Sequence, residues 1–214
     1  MNIFLLISIP AILIWAILTN PEYRWTSFVP PALTGLLVAI ITCFIKEFFI
    51  FYSHIATSNF IAHFAYLSAR DSIIPLTVLS LIFMLFSKDD ADYKAESVLP
   101  LALSFFTVYI PYFIITGKEP QAMFLLIVKP ILFIALGFIT SAILKRMFAF
   151  MNDKNSSLTA ISIFLTVIAL VIPSLIETIW YYNINAFIWI ISSIIYVAAA
   201  MTLRIMPGIQ RKSE

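Results

Sequence analysis

Residues 158 to 182 read LTAISIFLTVIALVIPSLIETIWYY, and Glu177 is the only charged side chain in all twenty-five positions. A run of this length matches a bilayer. About 20 apolar residues in a helix cross roughly 30 Å of hydrocarbon, where every backbone N–H and C=O has to find its partner inside the helix. The pattern recurs along the chain. Runs at 2–19, 28–45, 98–116, 123–144, 158–182 and 187–203 are long enough, and 72–87 is a shorter one that lengthens if its helix starts near Asn59. With 62% hydrophobic and 11% charged residues in 214 positions, the chain carries more apolar surface than a soluble domain of this size buries. The expected fold is all-α, a polytopic transmembrane helix bundle forming a single integral membrane domain over 1–214.

The first run starts at Met1 with no basic leader, and NPEYRWTS follows it. Pro, Glu and Trp stand where a cleavage site needs small residues, so this helix is expected to be retained. The ambiguous part is 46–71. Either it is a lateral hairpin turning at Ala56-Thr57-Ser58-Asn59, which gives seven spans, or 48–67 is an eighth span. Seven is the preferred count, because Thr57, Ser58 and Asn59 suit the start of a helix.

Basic residues orient the bundle. KRMFAFMNDK (145–154) and the tail RIMPGIQRKSE (204–214) are two spans apart, so both fall on one side, which the excess of Lys and Arg marks as cytoplasmic. Seven spans then place Arg24, Lys88, Lys94, Lys145, Arg146, Lys154, Arg204, Arg211 and Lys212 inside, and Lys46, Arg70 and Lys118 outside. Eight spans give an equally uneven split, so the side of the N-terminus follows the parity of the count. The expected location is a plasma (inner) membrane, multi-pass, with the C-terminus cytoplasmic. Trp15, Trp25, Trp180 and Trp189, with Tyr181 and Tyr182, fall near expected helix ends, where amphipathic rings settle at the interface.

An internal repeat is a second expectation. PALTGLLVAIITCFIKEFFIFY (31–52) and PILFIALGFITSAILKRMFAFM (130–151) share Pro31/Pro130, Leu33/Leu132, Ile40/Ile139, Lys46/Lys145, Phe49/Phe148 and Phe51/Phe150 in register. Pro75 and Pro173 recur at nearly the same offset. The repeat units are 28–116 and 127–203; with seven spans they hold three helices each and point oppositely, as in many secondary transporters.

Several classes are excluded. The net charge of +2 comes from scattered basic residues, with no stripe to follow a phosphate backbone, so no nucleic acid is expected as a partner. One cysteine, Cys43, forms neither an internal disulfide nor a CxxC pair. Two histidines without metal-ligand spacing give no metal site. P-loop, GxSxG and GxGxxG signatures are missing, and no cofactor is expected. The loop SKDDADYKAES (87–97), with Asp89, Asp90 and Asp92, reads as solvated.

The candidate site residues are charges in apolar surroundings. Lys129 and Glu177 lie five or six residues inside their runs, at similar depth and at the same end, and are expected to approach each other or to share a polar cavity. Glu47 and His54 are seven residues apart, as are His63 and Arg70, so each pair shares a helix face, with Asp71 beside the second. With seven spans these residues form an outward polar vestibule. The remaining classes are a small permease or channel-like protein or the membrane subunit of a transporter, a membrane-embedded enzyme acting on a lipid or peptide at the outer interface, and a non-catalytic scaffold. The expected partners are the lipid bilayer and either other membrane subunits or further copies of the chain.

Overall fold

The computed structural model describes residues 25–45, 59–86, 91–116 and 124–205. Every element in them is helical. In chain order they are α1 (Trp25–Ile45), α2 (Phe60–Leu67), a wide π turn (Ser68–Ile73), α3 (Ile74–Phe86) and α4 (Ala91–Thr116). A second wide turn (Phe124–Val128) then leads into α5 (Lys129–Asn152), followed by α6 (Ser156–Tyr181) and α7 (Ala186–Ile205).

Four helical stretches are long and apolar enough to cross a membrane: Phe60–Phe83, Phe124–Phe148, Ser156–Tyr181 and Ala186–Leu203. Val29–Ile45 and Ser97–Tyr112 are shorter apolar helices. Among the described residues the expected seven spans are therefore not reached. The first run, 2–19, and the turn at 56–58 lie outside the described residues.

The chain does not reverse between residues 67 and 72, because α2 runs through the wide turn into α3. Runs 48–67 and 72–87 are therefore not two crossings joined by a loop there. The helix begins at Phe60, and the Asn59 side chain accepts the Ile61 N–H at 3.0 Å, satisfying one of the donors that a helix start leaves open.

Both wide turns end two residues before a proline, Pro75 or Pro130. Proline has no N–H to give and its ring presses on the carbonyl a turn earlier, so the helix loosens to the five-residue hydrogen-bond spacing of a π turn. The Ile74 N–H reaches the Ala69 carbonyl in that pattern. The next bond in the series should run from residue 75 to the Arg70 carbonyl, but residue 75 is proline. Tyr109 of α4 supplies the missing donor, its hydroxyl lying 3.0 Å from the Arg70 carbonyl. The same substitution occurs on α6: Pro173 leaves the Ala169 carbonyl without its usual amide, and the Tyr196 hydroxyl of α7 donates to it at 2.9 Å. A tyrosine from a neighbouring helix thus closes these two proline gaps inside the apolar bundle.

α4 and α5 form the centre. Leu103, Phe105, Phe106 and Tyr109 of α4 and Leu132 and Leu136 of α5 are fully buried. α1 packs on α4, α4 on α5, and α5 on both α6 and α7, while the first wide turn packs on α6. The α1–α4 contact is close enough that a Cβ added to Gly35 would collide with Ser104 Oγ and the Leu101 carbonyl. Only a glycine fits there.

Candidate functional site

The first wide turn, the start of α5 and the last two turns of α6 converge inside the bundle and bring four charges together. Lys129 Nζ donates to Glu177 Oε1 at 2.7 Å and to Asp71 Oδ2 at 3.0 Å. Asp71 also accepts from its neighbour Arg70, from Nε to Oδ1 at 2.6 Å and from Nη2 to Oδ2 at 2.9 Å. All four residues are buried, Asp71 at 1% exposure and Glu177 at 2%.

Each charge owes its position to a local backbone feature. In a regular α-helix, residues 70 and 71 point about 100° apart around the axis. Here the adjacent side chains nevertheless meet head to head, inside the turn that Pro75 loosens. Lys129 stands at the junction of the second wide turn with α5, directly before the buried Pro130. Glu177 is four residues past Pro173, on the buried face of α6 that also holds Ser174 and Thr178. The arrangement balances two cations against two carboxylates. An ionised group at this depth persists only when it is paired and hydrogen-bonded, and each of these four is.

Most buried or half-buried Ser and Thr of the described helices donate to a carbonyl one turn earlier, as Thr107, Thr140, Ser162, Thr166, Thr178 and Ser193 do. Ser68 and Ser72 on the first wide turn and Ser174 on α6 are as deeply buried, yet their hydroxyls have no hydrogen-bond partner among the described residues. Thr42 and Ser97, away from the acids in sequence, share this state.

Aromatic rings close the end of the bundle beyond the cluster. Phe124 stacks on Trp180 with ring centres 4.6 Å apart and takes Trp189 edge-on at 5.5 Å. These two tryptophans are therefore joined across helices through Phe124 rather than standing singly at an interface. His63 is buried, stacked on Tyr181 at 4.3 Å and edge-on to Tyr182 at 5.7 Å. Arg70 lies over the Tyr66 ring, 5.1 Å from its centre.

The sequence candidates divide into three groups. Asp71, Lys129, Glu177 and Arg70 come together in one network. His63 sits two turns before Arg70, in the aromatic layer. Glu47 and His54 lie outside the described residues, as do Asp89 and Asp90. Sequence reasoning did not single out Tyr109, Ser68, Ser72 or Ser174. Ser68/Ser72 and Ser174/Thr178 are each four residues apart, and that spacing of small polar residues beside a charge was the available signal. Tyr109 left none. Among the described residues no three side chains of metal-binding type gather. Comparison with protein-family models, with curated proteins and with solved structures finds no match for this chain.

Proposed function

We propose that this protein is a small multi-pass membrane permease, or the membrane subunit of a transporter, that works through the Asp71–Lys129–Glu177 cluster. The observation that carries this reading is one lysine shared by two carboxylates of different helices within apolar spans. Ionisable groups at that depth are costly, and they mark ion and substrate pathways in membrane proteins. Two features add support. Wide π turns concentrate at functional sites, and here one carries Arg70 and Asp71 while the other ends at Lys129. Asp71 belongs to the proposed unit 28–116 and Lys129 and Glu177 to 127–203, so the cluster bridges the units, where transporters built from inverted repeats hold their substrates.

The chain shows no ATP-binding motif, so the driving force on this reading is an ion gradient or a partner subunit. The proposed setting is a plasma membrane with the C-terminus cytoplasmic. The test is current on a solid-supported membrane carrying purified, reconstituted protein, with concentration jumps of protons, sodium, amino acids, short peptides and sugars. The expected result is a transient current for at least one solute that is lost in Lys129→Met and kept in Ile194→Ala. No current across the panel, with the protein verified as folded and inserted, would overturn the reading and leave the network as a structural staple of a scaffold.

A further inference from the structure

The two carboxylates of the network are held unequally. Asp71 accepts three hydrogen bonds from two cations: two from Arg70 and one from Lys129. Glu177 accepts one such bond among the described residues, from Lys129 to Oε1. From this asymmetry we infer that the network is a proton-binding site, with Glu177 as the acid that takes the proton and Lys129 as the internal cation that the proton displaces. This rests on the permease reading and names its coupling ion.

The step balances simply. A proton from water adds to the Glu177 carboxylate and gives a neutral carboxylic acid. Lys129 remains an ammonium, loses its ion pair with Glu177 and keeps its bond to Asp71. The set of Arg70, Asp71, Lys129 and Glu177 goes from zero net charge to one positive charge. In a low-dielectric interior that surplus is unfavourable. Either the proton leaves again or the ammonium end moves, and motion of the Lys129 side chain pulls on the second wide turn, where α5 begins.

The alternative acceptors are weaker. A proton on Asp71 would weaken three charged hydrogen bonds, two from Arg70 and one from Lys129, where a proton on Glu177 weakens one. Loss of the Lys129 proton would leave both carboxylates facing a neutral amine. Besides Lys129, the charges acting on Glu177 are Asp71 and Arg70; of the titratable groups on the packed elements, Tyr109 already donates to the Arg70 carbonyl, Tyr66 lies beneath the Arg70 guanidinium, and His63 is stacked on Tyr181, one turn along α6 from Glu177. A sodium ion would need several oxygen ligands, and the two acids here enclose an ammonium instead. Ser68, Ser72 and Ser174 are buried hydroxyls with hydrogen-bonding capacity unused among the described residues, on the same two elements as the acids. Such groups hold the water through which a proton reaches a buried acid.

The test is infrared difference spectroscopy of the purified full-length protein in detergent, as the buffer is stepped from mildly alkaline to mildly acidic. The expected result is a carboxylic-acid C=O band that shifts in heavy water, is lost in Glu177→Gln and is retained in Asp71→Asn at a more acidic step, because that variant leaves both cations to Glu177 alone. Size-exclusion chromatography confirms that each variant stays folded. Should Glu177→Gln not fold, Glu177→Asp replaces it, and the band must then move in position. A band that survives Glu177→Gln, one that vanishes in Asp71→Asn instead, or one that stays unmoved in Glu177→Asp would overturn the assignment. The spectrum reads protonation whether or not a solute crosses, so the two readings fail separately. A Glu177 band without any current refutes the permease, and currents without a Glu177 band refute the proton site.

Discussion

α5 and α7 are nearly equal in mean hydropathy, yet 67% of the most apolar stretch through α5 is buried inside the protein and only 11% of that through α7. Average greasiness therefore says nothing about which helix is central. Lipid tails are as apolar as leucine, so no hydrophobic force draws one apolar helix inward ahead of another; packing and polar bonds do that. The α5 segment carries Lys129, Gly137 and Thr140, each of which needs a partner or permits close approach, and all three are buried. α7 presents a single buried stripe, Ser193, Tyr196 and Ala200, and turns Phe187, Ile191, Ile194 and Ile195 outward.

Removing what holds α5 inside is the severest way to break that contrast. Lys129→Met leaves Asp71 and Glu177 without their shared cation, and stripping one partner from a buried ion pair costs about 3–5 kcal/mol. For a chain of this size that is a drop in melting temperature on the order of 10 °C. The double variant Lys129→Met/Glu177→Gln, which leaves only the Arg70–Asp71 pair charged, should recover more than half of the loss in a detergent melting assay. If the single variant melts like the wild type, the ion network does not hold α5 in place.

A steric change comes next. Gly35→Ala drives a methyl group into Ser104 and the Leu101 carbonyl, and overpacking of this kind costs about 1–3 kcal/mol. A melting curve unchanged by the methyl group would show that the α1–α4 contact is looser than described. Tyr196→Phe probes a polar tie of α7 to α6 by leaving the Ala169 carbonyl unmatched, with an expected loss of about 1 kcal/mol. The smallest effect belongs to the outer face of α7. Ile194→Ala should shift stability by less than about 0.5 kcal/mol, since it exchanges lipid contact alone. A larger loss there would mean that another protein surface covers α7.

Much of this arrangement was legible in the chain. Apolar run lengths marked the helices, and the matched depth of Lys129 and Glu177 told that they end at one level. The helix start near Asn59 followed from its capping chemistry. Seven spans put Arg70 and Asp71 in one outward vestibule with Lys129 and Glu177, but the direct bonds from Arg70 and Lys129 to Asp71 were not legible, because they depend on how the wide turn and α5 dock. Pro75 was visible, but a proline in an apolar run reads equally as a kink, a helix start or a loosened turn. The tyrosine donors were hidden for a related reason. Tyr109 and Tyr196 are chosen by which carbonyl a distant proline leaves open, and that pairing exists only after packing.

The four charges also impose an order of assembly. Arg70 and Asp71 are sequence neighbours and neutralise each other without any other helix, so their segment can enter lipid while later parts are still being synthesised. Lys129 follows Asp71 by 58 residues and Glu177 follows Lys129 by 48. Between those two arrivals the half-made bundle holds an ammonium shared with an acid that Arg70 already satisfies, a state that cannot close on itself. The last acid completes the set, so a chain cut short before α6 should expose its defect to membrane quality control, whereas one lacking α7 should already be electrically whole.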